Sequence, residues 1–265
     1  MPTFDGTAGS IHYEHWAPDD PARAVVVLVH GYAEYAARYA HVADRLTAHG
    51  AAVYAPDHMG HGHSEGERAL ITDFGDVVAD LRRLVDLAVA EYPGVPLVMI
   101  GHSMGGLLTS RFAQTYPAEV AGIGLLGAVV GDWNWARTAL AAPELPAATT
   151  DFSGMSRDGD AVERYATDPL IYRGKYKRPL LEAEMVALDR FQEQVDRLTM
   201  PVLFCHGDDD PFVDYRTSLA AVESMPSDDV TIRVYEGARH ELVNETNRDE
   251  VIGEIVEFVN RVVAQ

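Results

Sequence analysis

The five residues Gly101-His102-Ser103-Met104-Gly105 combine a hydroxyl with two glycines that allow it to stand at a sharp bend. An apolar run at 95–100, broken only by Pro96, precedes them and predicts a strand. An apolar-periodic helix is predicted over 107–116. A strand that reverses at once into a helix needs small residues around the serine, and the turn lifts its hydroxyl above the sheet. The turn also puts the Met104 N–H at a helix N-terminus, where unpaired donors and the helix dipole favour negative charge. Such a place suits nucleophilic attack by serine on an acyl carbon, with an oxyanion forming alongside.

A serine hydroxyl is a weak nucleophile until a base takes its proton and a third group orients that base. In a strand–turn–helix setting of this type the partners follow in the order Ser, Asp or Glu, His. Two histidines follow Ser103. His206 ends an apolar run just before Gly207 and reads as a structural turn residue. His240 lies in the loop between a predicted strand at 231–235 and the last helix, and is the expected base. The acid is expected in His206-Gly-Asp208-Asp209-Asp210-Pro-Phe-Val213, after the strand at 202–205. The G-x-x-D-x-x-V spacing selects Asp210. Asp208 and Asp209 read as turn formers or solvated carboxylates, with Asp209 as the alternative acid. A second oxyanion donor is expected where the strand at 24–30 ends, in the N–H of Tyr32 as partner to that of Met104.

His58, His61 and His63 invite a metal reading, but a zinc site needs three or four converging ligands. The stretch 57–66 reads instead as a tight glycine-rich loop after a strand, so neither a metal nor a cofactor is expected. The single cysteine, Cys205, excludes an internal disulfide and reads as a buried thiol.

These residues must be held by a frame. Strands are predicted at 9–16, 24–30, 51–56, 95–100, 120–126, 202–205 and 231–235, and helices at 35–49, 74–91, 107–116, 216–224 and 250–263. The alternation argues for an α/β architecture, a mostly parallel sheet with helices on both faces. It breaks over 133–198, which is helical and loop-like. The expected division is a core at 1–128, a cap insertion at 129–197 and the rest of the core at 198–265. Ligands in open sheets bind at the carboxyl ends of the strands, where Ser103 falls and where the insertion would sit as a lid.

At 265 residues and 47% hydrophobic, the chain suffices for one large domain with an insertion. Its net charge of -20, from 41 acidic and 21 basic residues, repels nucleic acid and anionic headgroups, so no nucleic-acid partner is expected. The N-terminal residues lack the basic and apolar regions of a signal peptide, and no apolar run reaches membrane-span length. A cytoplasmic location is the expectation.

Three motifs carry a resemblance. His30-Gly-Tyr-Ala-Glu34-Tyr-Ala-Ala-Arg38-Tyr39, the loop 57–66 and Gly101-His-Ser-Met-Gly-Gly106 resemble the monoacylglycerol lipase and lysophospholipase branch of the α/β-hydrolases. So do two segments of the insertion, Phe152-Ser-Gly-Met-Ser-Arg-Asp158 and Tyr165-Ala-Thr-Asp-Pro-Leu170, and the similarity spans nearly the whole chain. The resemblance implies an α/β-hydrolase fold with a helical cap. It also implies cleavage of a small lipid ester, a monoacylglycerol, to glycerol and fatty acid through an acyl-enzyme. Glu34, Arg38, His102 and Tyr165 fall where the family shapes the pocket for the glycerol end. The Glu34–Arg38 spacing equally suits an i,i+4 ion pair, and Tyr165 could equally pack the cap. The stretch 133–150 is shorter and richer in alanine than the family's pattern, which implies at most transient membrane-surface contact through the cap. Alternatives are a lysophospholipase, a broad short-to-medium-chain carboxylesterase, and, from another class, a ligand-binding protein with little turnover. Dehalogenase or epoxide hydrolase chemistry on this fold would use a carboxylate where this chain has Ser103.

Overall fold

The computed structural model describes residues 1–264. Among them eight strands form one sheet: β1 (Thr3–Asp5), β2 (Ser10–Trp16), β3 (Ala24–Val29), β4 (Ala51–Pro56), β5 (Leu97–His102), β6 (Gly122–Leu126), β7 (Val202–Gly207) and β8 (Val230–Tyr235). Their order across the sheet is β1-β2-β4-β3-β5-β6-β7-β8. The first two are antiparallel additions at one edge, and β3 to β8 run parallel.

Every residue of β3 is buried, as a central parallel strand requires when both faces are covered. Its side chains alternate between two cores. Val25, Val27 and Val29 pack with α2 (Phe74–Glu91) and α3 (Met104–Thr115), whereas Val26 and Leu28 pack with α1 (Ala40–Thr47) and α8 (Arg248–Val262). Each such buried aliphatic side chain contributes about 1.5–3 kcal/mol relative to exposure. The helices α2, α5 (Gly159–Thr167) and α7 (Tyr215–Glu223) start at Asp73, Asp158 and Asp214, whose carboxylates accept from first-turn amides. Between β6 and β7 the described residues hold α4 (Asn134–Ala141), α5 and α6 (Arg178–Glu193), and no strand. No helix among them is long and apolar enough to cross a membrane.

Some boundaries move for local reasons. The helix expected at 35–49 splits into a 3-10 turn, Ala36–Tyr39, and α1. The Ala36 amide is drawn away to the Asp57 carboxylate at 2.7 Å, and Tyr35 before it is extended. The strand β5 begins after Pro96 and runs to His102, and α3 begins at Met104 rather than at 107. Strand and helix thus meet at Ser103 with no intervening loop. The short edge strand β1 carries too little sequence pattern to be anticipated.

Candidate active site

Ser103 is the hinge between β5 and α3, at φ 54° and ψ -123°, a conformation that side-chain-bearing residues rarely adopt. A backbone held there costs about 1–3 kcal/mol and persists only where its surroundings fix it. Here the Ser103 N–H donates to the Leu126 carbonyl at 3.0 Å, and its own carbonyl accepts from Gly106 and Val129. Side chains at Gly101 or Gly105 would collide with the Gly105 and Val29 carbonyls respectively. The G-x-S-x-G pattern is therefore a packing requirement of this bend.

The bend aims Ser103 Oγ at His240 Nε2, 3.0 Å away, and His240 Nδ1 lies 2.7 Å from Asp210 Oδ2. The other Asp210 oxygen accepts from the Phe212 and Val213 amides. Burial alone would raise the Asp210 carboxyl, but the His240 charge and these hydrogen bonds outweigh it and hold it below the usual carboxylate range. Burial works against a charged His240, yet Asp210 prevails and the imidazole is raised. The structure does not bring Asp209 here: its side chain is 67% exposed beside Arg239, against 1% for Asp210. Asp208 instead accepts from the Gly237 amide. His206 is fully buried beneath the acid, its Nδ1 3.0 Å from the Gly207 carbonyl and 3.9 Å from Asp210 Oδ2.

Ser103, Met104, Gly31 and Tyr32 share the wall of one cavity of about 280 Å³. Met104 opens α3, so its amide is among the first-turn donors that find no acceptor inside the helix. Gly31 abuts the serine so closely that a Cβ there would stand 3.1 Å from Ser103 Cβ. Trp133, Trp135, Phe152, Met155, Phe212 and Val213 give the rest of the cavity an apolar character.

Glu34, His102 and Tyr165 also line the cavity, but Arg38 stands behind its wall. The Arg38 guanidinium donates to Glu34 at 2.6 Å and to both oxygens of Glu241 at 2.6 and 2.7 Å, and it lies 5.0 Å over the Tyr165 ring. Glu34 further accepts from the Gly31 amide and the Tyr39 hydroxyl. Burial would raise its carboxyl, but Arg38 and these donors lower it. The i,i+4 ion pair is thus present, and it forms part of a buried network joining the loop of Gly31 to the loop of His240. His102 packs its ring 4.7 Å from that of His240, with Nδ1 3.1 Å from the Leu126 carbonyl.

The loop histidines make local contacts, with His61 Nε2 buried and without a hydrogen-bond partner among the described residues. His58 Nε2 lies 3.0 Å from the His30 carbonyl, and His58 N–H donates to His30 Nε2 at 2.9 Å. His61 Nδ1 lies 3.0 Å from the Met59 carbonyl, and burial lowers its imidazole to about 4. His63 lies edge-on to His12, 5.3 Å between ring centroids, rather than with the other two. Among the described residues no cluster of three potential ligands could hold a metal.

Sequence reasoning missed three carboxylates. Glu241 anchors Arg38. Glu245, beneath the surface, accepts from the Arg157 and Arg239 amides and the Arg157 side chain, tying the segment just before α5 to the residue before His240. Gly154 and Met155 carbonyls accept from His240 and Glu241 amides, so the Phe152–Asp158 motif braces the loop that carries the imidazole. The third, Glu184 on α6, faces the cavity, and no cation among the described residues acts on it. Spacing offers no signal for these, because the side-chain cations that Glu241 and Glu245 engage lie 203 and 88 residues away, and Glu184 has none among the described residues.

Comparison with known proteins shows the family. The serine aminopeptidase S33 family matches residues 20–247. A monoacylglycerol lipase of Mycolicibacterium smegmatis is 36% identical, covering 97% of this chain and 95% of its own. The monoglyceride lipase of Homo sapiens is 33% identical over 95% of this chain and 86% of its own. The crystal structure of the Paleococcus ferrophilus monoacylglycerol lipase superposes with a TM-score of 0.80 at 28% identity, covering 96% of this chain and 98% of that one. With a strand-to-helix serine under a helical insertion and a family match over most of its length, this chain belongs to the serine aminopeptidase S33 family of α/β-hydrolases.

Proposed function

We propose that the protein is a serine hydrolase that cleaves monoacylglycerols to glycerol and a fatty acid. The observation that carries this reading is the continuous chain Asp210–His240–Ser103, with its hydroxyl opening on an apolar cavity. His240 takes the Ser103 proton as Oγ attacks the ester carbonyl carbon. Asp210 holds the imidazole in the tautomer that presents a bare Nε2, and stabilises it once charged. The oxyanion is received by the Met104 and Tyr32 amides, each such donor being worth about 2.7–4 kcal/mol in related hydrolases. His240 then returns the proton to the departing glycerol oxygen. The acyl group stays on Ser103 until water, deprotonated by the same imidazole, releases the fatty acid.

The aromatic wall suits an acyl chain, and Glu34, His102 and Tyr165 suit the polyol, which needs fixed hydrogen-bond partners at the reacting end. Arg38 acts indirectly, by fixing Glu34 and Glu241. Residues 129–197 serve as the cap of a core formed by 1–128 and 198–264, residue 265 lying outside the described residues. The relatives named as monoacylglycerol and monoglyceride lipases support this substrate class.

A panel of monoacylglycerols from C8 to C18, with lysophosphatidylcholine and a short nitrophenyl ester, tests the reading. The expected result is a kcat/KM for a monoacylglycerol at least tenfold above that for lysophosphatidylcholine. Equal or better cleavage of the lysophospholipid, or cleavage of the nitrophenyl ester alone, would overturn it.

A further inference from the structure

The cavity carries a polar feature that ester cleavage does not use. Of the carboxyls on its wall, Glu34 and Glu241 are both held by Arg38, but Glu184 has no such partner. It is 1% exposed, and its Oε2 has no hydrogen-bond partner among the described residues. The Tyr32 hydroxyl is likewise buried and unpartnered, and the Tyr32 ring stacks on Tyr176 at 4.3 Å. Glu184 is near enough to both tyrosines for its charge to raise their hydroxyls.

Burial pushes the Glu184 carboxyl up to about 8, so at neutral pH it is a neutral acid able both to donate and to accept. An unsubstituted acyl chain that expels water from the cavity leaves this acid and the Tyr32 phenol unsatisfied, which is unfavourable. A chain bearing an oxygen on this wall offers these groups a partner. We propose that Glu184 and Tyr32 form a specificity subsite for acyl groups carrying a hydroxyl, keto or epoxide oxygen along the chain. The inference rests on the reading of this cavity as the acyl site of a monoacylglycerol hydrolase.

The test compares stearoylglycerol with hydroxystearoylglycerols substituted at successive positions, in wild type, Glu184→Leu and Glu184→Gln, with nitrophenyl acetate measured alongside. Wild type should favour one hydroxylated isomer by about tenfold in kcat/KM, the factor carried by one buried hydrogen bond. Glu184→Leu should bring that ratio to about one, chiefly by raising KM for the hydroxylated ester, and Glu184→Gln should restore part of it. Circular dichroism and thermal melts establish that the variants are folded. A wild-type ratio near one at every position, or a preference that survives Glu184→Leu, would overturn the inference and leave the subsite to water. Cleavage of nitrophenyl acetate with neither glyceride touched is a different result, and it would overturn the functional reading along with the inference.

Discussion

Asp210, on the loop after β7, and Glu184, on α6 of the insertion, are both carboxylic acids buried near one cavity, yet their chemistry differs. Asp210 receives two backbone amides and an imidazole, and is held below the usual carboxylate range despite its burial. Glu184 Oε2 has no hydrogen-bond partner among the described residues, and burial raises the carboxyl to about 8. Partners, not depth, decide which acid keeps its charge, because desolvation penalises both in the same direction. Around the serine, Asp210, His240 and Glu34 on the core side are all hydrogen-bonded. The cap side is apolar, with one acid left waiting.

The contrast is broken most severely at the charged end. Asp210→Asn is expected to reduce kcat/KM on the order of 10⁴-fold, because the amide fixes the wrong imidazole tautomer. Asp209→Asn should stay within about threefold, given its exposure. Steady-state kinetics on a nitrophenyl ester separates the two, and the larger loss in Asp209→Asn would reverse the assignment. Next in size, Arg38→Ala leaves Glu34 and Glu241 buried without their cation and should destabilise the fold by about 3–5 kcal/mol in urea unfolding.

Glu184→Leu acts in the opposite direction. An acid whose folded pKa is raised contributes stability below its unfolded pKa near 4.5, and that contribution is lost as pH rises towards the folded value of about 8. The variant should therefore be more stable than wild type, by on the order of 2–4 kcal/mol at pH 8, with little gain near pH 4. Thermal melts across this range check the sign. The smallest effect is on the acid limb of kcat/KM. His240 must be neutral to accept a proton, and Asp210 raises its pKa, so wild-type activity should fall with acidification through a value above 6.5. In the residual activity of Asp210→Asn this limb should move to lower pH.

The core side was legible in the chain because its constraints are local. Gly101, Ser103 and Gly105 sit within five residues, and the bend they permit cannot form otherwise. Spacing to Gly207 and Val213 pointed to Asp210, and the scarcity of later histidines to His240, and the structure places these two side chains 2.7 Å apart. Parallel strands buried on both faces read directly as runs of Val, Leu and Ile. The polar bracing was not legible. Glu245 meets Arg157 across 88 residues, and Arg38 meets Glu241 across 203, so no window of sequence holds both ends. Glu184 sits among helix formers where a surface glutamate is unremarkable, and only packing reveals that it faces inward. Pocket residues taken from the family resemblance were brought to the cavity wall at Glu34, His102 and Tyr165. Arg38 stands behind it, engaged by two carboxylates.

The most direct test of the account is the site of reaction with a fluorophosphonate, read by intact mass and peptide mapping. One adduct per chain on Ser103 is predicted, forming more slowly in His240→Ala and absent in Ser103→Ala. An adduct on another residue, or undiminished labelling once the Ser103 hydroxyl is removed, would contradict it.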